Sequence, residues 1–484
     1  MPPTSPRPLL VGVAIGDVTP PVGIDVTGFC VRPATRAIHR TLRASAVVFS
    51  DGDHTACLVA VDSLGLTVPY ATRLREDIAD RLAIDPAGVM ITCSHTHNAP
   101  SVAVELKLGG QQDTWTELDA AYEAFWRLRI ISVCEQAAHS LTPARIAASR
   151  EGNAAIGVNR RLRLPDGRMI VGRVKDRPAD HSVGVVRIDR LDGTPLVSLF
   201  NYACHAITLG PEAAIVSPDY PGAARADLED ITGAPAIFIQ GAAGDIAPVD
   251  GMGPEPSIAD ALGRTLGLEA AKVWSTIETR NVERREEIVM SYNAISRLTT
   301  IEHPLPDAYV GVSASWTELP LSPLPSLEFV TEVGRAARAR LDDLIRDGAD
   351  EGQLNIQRLE TRWADRITRL FDQGSPATTT PGLVQVLRIG EVTFVGLPVE
   401  PFVLLGRGVI DAIGPRTIVC GYANGTVGYC PMPSDHLEGG YEVERAHRVY
   451  GQPAALAPEA PAVMVDTAVR LAAELGAPTA VATK

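Results

Sequence analysis

The sequence has no long apolar run. Its 484 residues include apolar stretches such as 45–49 and 57–61, but these are far shorter than the ~20 residues that span a bilayer. The apolar stretch at the amino terminus is also too short for the core of a signal peptide. We therefore predict no integral membrane association and a cytoplasmic localisation.

Positive charge and paired cysteines are also scarce. Lysine and arginine total 44 against 58 aspartate and glutamate residues, which gives a net charge of -14. A field of this sign repels phosphate backbones, so nucleic acid is excluded as a partner. The seven cysteines are scattered without a CxxC pair, as expected of buried thiols in a reducing compartment. The chain also contains no P-loop, GxGxxG motif or internal repeat.

The residues that are present indicate a globular α/β protein. Hydrophobic residues make up 45% of the chain and charged residues 21%, which is the balance of a packed fold. Short β-branched runs alternate with segments of helical spacing, and this alternation predicts an α/β fold. The predicted strands are 9–14, 43–50, 55–62, 89–93, 145–149, 183–189, 195–202, 236–240, 383–389 and 392–397. The predicted helices are 70–82, 117–140, 257–276, one that starts near 400, and 462–475.

Two segments interrupt the alternation. Prolines are dense between about 304 and 325, and residues 326–371 have charged amphipathic spacing, so we predict a helical insertion at 304–375. The Gly-, Tyr- and Pro-rich stretch 421–451 is typical of a long ordered loop. Its charged residues suit polar contacts with a substrate; they include Asp435, His436, Glu438, Glu442, Glu444 and Arg445.

Histidines mark a candidate site. His95 and His97 stand two apart after the strand predicted at 89–93, and a strand period of two points both imidazoles to one face. Convergent imidazoles suit a metal ion, although two exposed loop histidines would give the same pattern. His205 follows the strand predicted at 195–202 and favours one convergent site. The alternative for His205 is a core histidine that bonds to backbone groups.

Four carboxylates follow apolar runs or lie in Gly- and Pro-rich loops: Asp62, Asp219, Asp245 and Glu400. Such acids are usually helix caps or turn formers. Glu400 has two interpretations, because it could be a first-turn acid favoured by the helix dipole or a metal ligand held at the start of that helix. The residues alone leave both interpretations open.

A series of short motifs, taken in chain order, resembles that of a known family. The motifs, in chain order, are residues 16–20 (GDVTP), 37–40 (AIHR), 61–63 (VDS), 94–100 (SHTHNAP), 159–160 (NR), 205 (H), 217–222 (SPDYPG), 241–248 (GAAGDIAP), 398–400 (PVE), 428–429 (GY) and 440–442 (GYE). This series resembles the catalytic domain of the neutral ceramidase family of zinc amidases, as a bacterial-type homologue with the catalytic domain only. The resemblance implies a single large catalytic domain over residues 1–484, built of layered mixed β-sheets flanked by helices, with the helical insertion at 304–375.

The resemblance also implies a set of site residues. It assigns one zinc ion per chain to the ligands His95, His205, Glu400 and Tyr429. It makes His97, Arg160 and Tyr441 the catalytic residues around the substrate carbonyl, and His39, Asp245 and Ala247 candidate substrate-binding residues. Two imidazoles, a carboxylate and a phenolate can hold Zn²⁺ and leave a position for water. The alternative for Tyr429 is an aromatic side chain packed in the loop.

One departure from the family affects the expected mechanism. Ala247 stands where ceramidases carry a serine implicated in catalysis, and a side chain without a hydroxyl cannot be a nucleophile. We therefore predict a zinc-dependent hydrolase that cleaves an amide (N-acyl) bond of a small soluble substrate through a metal-activated water. His97 would transfer the proton, and Arg160 with Tyr441 would stabilise the oxyanion.

Three other functions are weighed against this prediction. A TIM-barrel amidohydrolase also has an HxH pair after a strand, but it needs more metal-site histidines than the chain offers beyond His205. An esterase or lactonase could use the same zinc site. A catalytically inactive zinc-binding protein is the alternative that is not an enzyme. A small-molecule amide is the expected partner, and a homo-oligomer is compatible with the sequence.

Overall fold

Strands and helices alternate along the chain. The computed structural model describes residues 7–30, 35–103 and 115–479. As far as residue 276 the elements are β1 (Leu9–Asp17), β2 (Ala37–Ile38), β3 (Arg43–Ser50), β4 (Thr55–Val61), α1 (Val68–Leu82), β5 (Val89–Cys93), α2 (Glu117–His139), β6 (Thr142–Asn153), β7 (Gly157–Arg163), β8 (Met169–Val174), β9 (Ser182–Arg190), β10 (Pro195–Tyr202), β11 (Ile215–Val216), α3 (Tyr220–Thr232), β12 (Ala236–Gln240), β13 (Ile246–Pro248) and α4 (Pro256–Thr276). The later elements are β14 (Val282–Met290), β15 (Ala294–Glu302), β16 (Val310–Pro320), α5 (Leu327–Arg346), α6 (Glu351–Asp372), β17 (Thr379–Ile389), β18 (Val392–Gly396), β19 (Glu400–Pro401), α7 (Val403–Ile413), β20 (Thr417–Cys420), β21 (Tyr429–Cys430), α8 (Pro433–His436), α9 (Tyr441–Glu444) and α10 (Ala460–Glu474).

Two mixed sheets form the inner layers. The larger sheet has eight strands in the order β12-β10-β9-β6-β1-β3-β4-β5, and the smaller has the order β16-β17-β18-β20. The pairs β4–β5, β10–β12 and β18–β20 are parallel, whereas β1–β3 and β16–β17 are among the antiparallel pairs. The prediction of an α/β fold with layered mixed sheets flanked by helices is confirmed.

Alternating side chains bury both faces of the large sheet. In β3, Val47 packs with Phe394 in the core between the two sheets, and its neighbour Val48 packs with Trp126 of α2 on the opposite face. This alternation follows from the two-residue period of a strand. Helices α1 to α4 cover the outer face of the large sheet, and α7 and α10 cover the smaller one. None of the helices in the described ranges is long and apolar enough to cross a membrane.

The two edge strands of the large sheet approach one another at their carboxyl ends. The side-chain amide of Gln240, the last residue of β12, donates to the carbonyl of Ser94 just beyond β5 at 3.0 Å. It also donates to the carbonyl of Cys204 just beyond β10 at 2.8 Å. One buried amide therefore joins the chain segments that carry His95 and His205.

Two predictions need correction in secondary structure. The helix expected to start near Glu400 begins at Val403, and Glu400 itself lies in the short strand β19, paired with Tyr429 in β21. A first-turn position for Glu400 is therefore wrong. The stretch 304–375 predicted as a helical insertion contains β16, which pairs along its length with β17. Helices α5 and α6 are the helical part of this stretch. The boundaries of the insertion, 304 and 375, stay a prediction.

The sequence pattern did not identify the strand pairs β7–β8 and β14–β15. Strand β14 (VERREEIVM) is mostly exposed and pairs with β15. Because both faces of this hairpin contact solvent, it needs no alternation of apolar and polar residues. An ion pair between Glu287 and Arg297 at 3.0 Å supports it instead. The other predicted strands, and the helices apart from the one near 400, are present to within about four residues at each end.

Candidate metal centre

Two histidines are brought together by the chain segments that follow two strands of the large sheet. His95 lies two residues after β5 and His205 three residues after β10. A parallel bridge between Thr96 and Ala206 aligns the two segments. His95 has a φ of 59°, a backbone conformation that is uncommon for a residue with a side chain and is often found at functional sites. Both imidazoles are buried and their rings lie 4.7 Å apart, edge to face.

Backbone carbonyls fix the orientation of these two imidazoles. His95 Nδ1 lies 2.5 Å from the carbonyl oxygen of Leu64, and His205 Nδ1 lies 2.5 Å from that of Ala243. A carbonyl only accepts, so each Nδ1 carries the proton, and in the neutral ring Nε2 keeps its lone pair. Burial, together with the nearby cation of Arg160, lowers the pKa of His205 to about 3, so His205 is neutral near pH 7.

The carboxylate of Glu400 faces both lone pairs. Its Oε2 atom lies 3.3 Å from His95 Nε2 and 3.1 Å from His205 Nε2, and the Glu400 side chain is 2% exposed. Oε2 has no hydrogen-bond partner in the described part of the chain, whereas Oε1 accepts from the hydroxyl of Tyr450. Three electron-pair donors that converge in a buried space are the arrangement expected of a metal site.

His97 lies next to this group. Its Nε2 atom is 3.3 Å from His95 Nε2, and nitrogen atoms of His95, His97 and His205 all lie within 4.8 Å of one another, close enough to hold a metal ion. The His97 ring packs on Phe29 at 4.9 Å and against Gly28. A Cβ at Gly28, where φ is 110°, would come within 2.4 Å of His97 Nδ1, so only glycine fits there.

Arg160 and Tyr429 complete the inner part of the cluster. Arg160 Nη1 lies 3.0 Å from His205 Nε2, and its Nε donates to Glu442 at 2.9 Å. The buried Nη2 of Arg160 has no hydrogen-bond partner among the described residues. The Tyr429 hydroxyl lies 3.4 Å from His205 Nε2. Burial raises the pKa of Tyr429 well above its ordinary value despite the nearby Arg160, so a phenolate there would require a stronger cation.

Tyr441 lies on the solvent side of the cluster. Its ring packs edge to face on that of Tyr429 with centroids 5.9 Å apart, and the residue is 38% exposed. The structure therefore brings seven of the predicted site residues into one connected group: His95, His97, Arg160, His205, Glu400, Tyr429 and Tyr441. Their individual roles stay predictions.

The three predicted substrate-binding residues have other partners. His39 lies 2.9 Å from the Ser217 hydroxyl and 3.2 Å from Asp260. Ala247 is fully buried in β13, opposite Val158 in β7. Asp245 accepts from the backbone N–H of Val403 at the first residue of α7, at 2.8 Å. None of these side-chain contacts involves the cluster, although the Asp245 carbonyl accepts from the backbone N–H of Arg160 at 2.8 Å. A substrate-binding role for His39, Asp245 and Ala247 stays a prediction.

The buried carboxyl group of Asp245 predicts how folding stability changes with pH. Burial raises its pKa to about 7, so between pH 4 and 7 the folded protein binds more protons at this site than the unfolded chain. Its contribution to folding stability therefore falls as the pH rises through that window. We expect the free energy of unfolding of Asp245→Asn, relative to that of the parent, to increase by up to ~4 kcal/mol as the pH rises from 4 to 8. Denaturant unfolding across this range measures the difference. The exposed Asp250→Asn is the control, and a parent-to-variant difference for Asp245→Asn that stays constant with pH would contradict the prediction.

Two aromatic residues of the cluster, Tyr422 and Tyr450, have no predicted role, and the acid Glu442 is predicted only to make polar contacts with a substrate. Tyr422 stacks on His95 with centroids 4.1 Å apart, and Tyr450 donates to Glu400. Glu442 joins Arg160 and Arg161, at 2.9 Å to each. All three lie in the loop predicted at 421–451, but nothing in its sequence separates them from the other tyrosines and acids of that loop.

Comparison with solved structures identifies the architecture. The chain is similar to the crystal structure of neutral ceramidase from Pseudomonas aeruginosa, with a TM-score of 0.64 and 17% sequence identity. The alignment covers 98% of this chain and 75% of the ceramidase chain. The chain has the neutral ceramidase fold. A structure of ceramidase complexed with C2 aligns with 98% of this chain and 76% of its own, at a TM-score of 0.63 and 17% identity. No protein-family model and no curated protein sequence matches the chain. The sequence-based resemblance to neutral ceramidase is thus confirmed for the fold.

Proposed function

We propose that this protein is a zinc-dependent hydrolase that cleaves the amide bond of an N-acyl substrate. The observation that carries the proposal is the buried Glu400 Oε2, 3.3 Å and 3.1 Å from the Nε2 atoms of His95 and His205. Three electron-pair donors this close repel one another unless a proton or a metal cation lies between them. The ceramidase fold supports an amide as the bond that is cleaved.

The donor atoms suit zinc. Imidazole nitrogen and carboxylate oxygen are ordinary zinc ligands, and zinc-bound histidines commonly donate their other N–H to a carbonyl. We assign His95, His205 and Glu400 to the ion, with Tyr429 as the fourth ligand that the resemblance implies. His97 competes for this place because its nitrogen belongs to the same cluster. Zinc, when bound, lowers the pKa of water and polarises a carbonyl.

The other residues of the cluster are assigned by position. The buried Nη2 of Arg160 has no hydrogen-bond partner among the described residues, so we propose that it donates to the carbonyl oxygen as negative charge develops there. Tyr441 shares this task from the solvent side. His97 takes a proton from water and returns it to the leaving amine, as imidazoles do near neutral pH. Because Ala247 has no hydroxyl, no acyl-enzyme is expected on it.

We propose a compact, water-soluble amide as the substrate. The net charge of -14 gives no attraction to an anionic membrane surface. The charges of the loop 421–451 support this only in part, because several are used within the protein. Asp435 and Glu438 pair with Arg177 at 3.4 and 2.7 Å, and Glu442 pairs with two arginines. These three acids are therefore not free to contact a substrate.

A hydrolysis panel tests the proposal. The zinc-loaded protein is given short polar N-acyl compounds, the matching esters and lactones, and long-chain ceramides with and without detergent. We expect kcat/KM for the short amides to exceed that for ceramides by about tenfold or more, and a chelator to suppress turnover. A strong preference for ceramides would reject the substrate class, and a preference for esters would reject the amide. Zinc binding without turnover of any compound would favour the inactive zinc-binding protein.

A further inference from the structure

Helices α5 and α6 form a small unit with its own core. Val330 of α5 packs with Trp363, Ala364 and Ile367 of α6 in a cluster separate from the cores of the sheets. The amphipathic spacing of both helices accounts for this pairing. Nothing in the proposed chemistry uses these helices, yet α6 contacts the polypeptide on both sides of the candidate metal centre.

The first contact is with residues 441–452, here called the tyrosine segment. Glu360 of α6, which is 7% exposed, accepts from Arg445 at 3.1 Å and from Arg448. Trp363 donates its indole N–H to the carbonyl of Gln452 at 2.8 Å, and the Arg448 guanidinium lies 4.5 Å above the Trp363 ring. A buried carboxylate with two guanidinium partners fixes the path of this segment.

The tyrosine segment in turn supports a proposed metal ligand. The hydroxyl of Tyr450 donates to Glu400 Oε1, so Oε2 is left to face the two imidazoles. Groups that hydrogen-bond a ligating carboxylate orient it and tune the affinity of the site for its metal. The position of Tyr450 depends on the chain around it, and that chain is held by α6.

The second contact lies beside His97. Asn355 of α6 donates to the carbonyl of Cys30 at 3.1 Å, and the preceding residue, Phe29, packs on the His97 ring. One helix thus anchors the chain on both sides of the centre.

We propose that α6 is a positioning element for the metal centre, in which Glu360 and Trp363 hold Tyr450 against Glu400. The inference rests on the proposed zinc site. Glu360 itself contacts neither metal nor substrate in this proposal. A change at Glu360 acts through the tyrosine segment, so its effect should appear first in metal affinity and only then in turnover.

Zinc affinity, measured by competition with a chromogenic chelator, tests this role. We expect Glu360→Gln and Tyr450→Phe each to weaken zinc binding by about tenfold. The control is Asp365→Asn, which removes an exposed α5–α6 ion pair with Arg338 and should leave zinc affinity unchanged. In the Tyr450→Phe background, Glu360→Gln should have little further effect, because both changes act through the same hydroxyl.

Trp363→Phe is a second variant, which keeps the packing but loses the bond to Gln452, and it should weaken zinc binding in the same direction. Circular dichroism confirms that each variant is folded. The inference would be overturned if Asp365→Asn weakened zinc binding as much as Glu360→Gln does. It would also be overturned if the double variant of Glu360→Gln and Tyr450→Phe lost zinc affinity by the product of the two single effects. Zinc binding by the parent with unchanged affinity in Glu360→Gln would reject the inference alone. A parent protein that binds no zinc would reject the proposed function as well.

Discussion

Replacing His205 with alanine is expected to abolish stoichiometric zinc binding and to lower kcat/KM by about a thousandfold or more. His205 Nε2 lies 3.1 Å from Glu400 and 3.4 Å from the Tyr429 hydroxyl, so it is shared by every version of the ligand set. Alanine removes a nitrogen whose lone pair is fixed by the bond from Nδ1 to Ala243. A site that loses one of its preorganised ligands binds metal far more weakly.

Elemental analysis of the purified variants measures this loss. The exposed His139→Ala is the matched control and should retain about one zinc per chain. His97→Ala should also retain zinc, while its turnover falls, if His97 is the proton shuttle. Loss of zinc in His97→Ala, with retention in Tyr429→Phe, would make the three imidazoles the ligand set and reject Tyr429. Retention of zinc in His205→Ala would reject the centre altogether.

The location of the site could be predicted from the sequence because strand ends are local features. The runs before His95 and His205 are apolar and β-branched, and the two histidines converge because β5 and β12, the edges of one sheet, meet at their carboxyl ends. The pairing of β19 with β21 places Glu400 beside Tyr429. That pairing joins residues far apart in the chain, and only the resemblance indicated it.

The support of the site could not be read from the sequence. The carbonyls of Leu64 and Ala243 fix the imidazoles, but every residue has a carbonyl, so composition gives no signal. The charges of the loop 421–451 suggested contacts with a substrate, whereas Asp435 and Glu442 bind Arg161 inside the protein. A charged residue in a loop looks the same in sequence whether it faces solvent, substrate or a buried partner.

Replacing Arg160 with methionine is expected to lower kcat by about a hundredfold to a thousandfold while zinc stays bound. Arg160 is 3% exposed, and its Nη1 lies 3.0 Å from His205 Nε2. Its Nη2 has no hydrogen-bond partner in the described ranges. A buried donor of this kind costs free energy unless a ligand satisfies it, and a carbonyl oxygen that gains negative charge would do so best in the transition state.

The folded state should tolerate this change. Glu442, which accepts from Arg160, also binds Arg161 at 2.9 Å, so its carboxylate keeps one buried cation after the substitution. The exposed Arg163→Met, in the same strand, is the control and should leave kcat and KM unchanged. Arg160→Lys keeps the charge but not the planar fork and should recover part of the activity.

The division of the effect between kcat and KM decides the role of Arg160. An interaction made mainly in the transition state lowers kcat and leaves KM nearly unchanged, whereas one made equally in the ground state raises KM alone. Steady-state kinetics on the best substrate of the panel, with zinc content measured on the same samples, separates these cases. A raised KM at constant kcat would reduce Arg160 to substrate binding. Loss of zinc would show that its bond to Glu442 and its contact with His205 hold the metal centre together, and the stabilisation of the oxyanion would then fall to Tyr441 and the zinc itself.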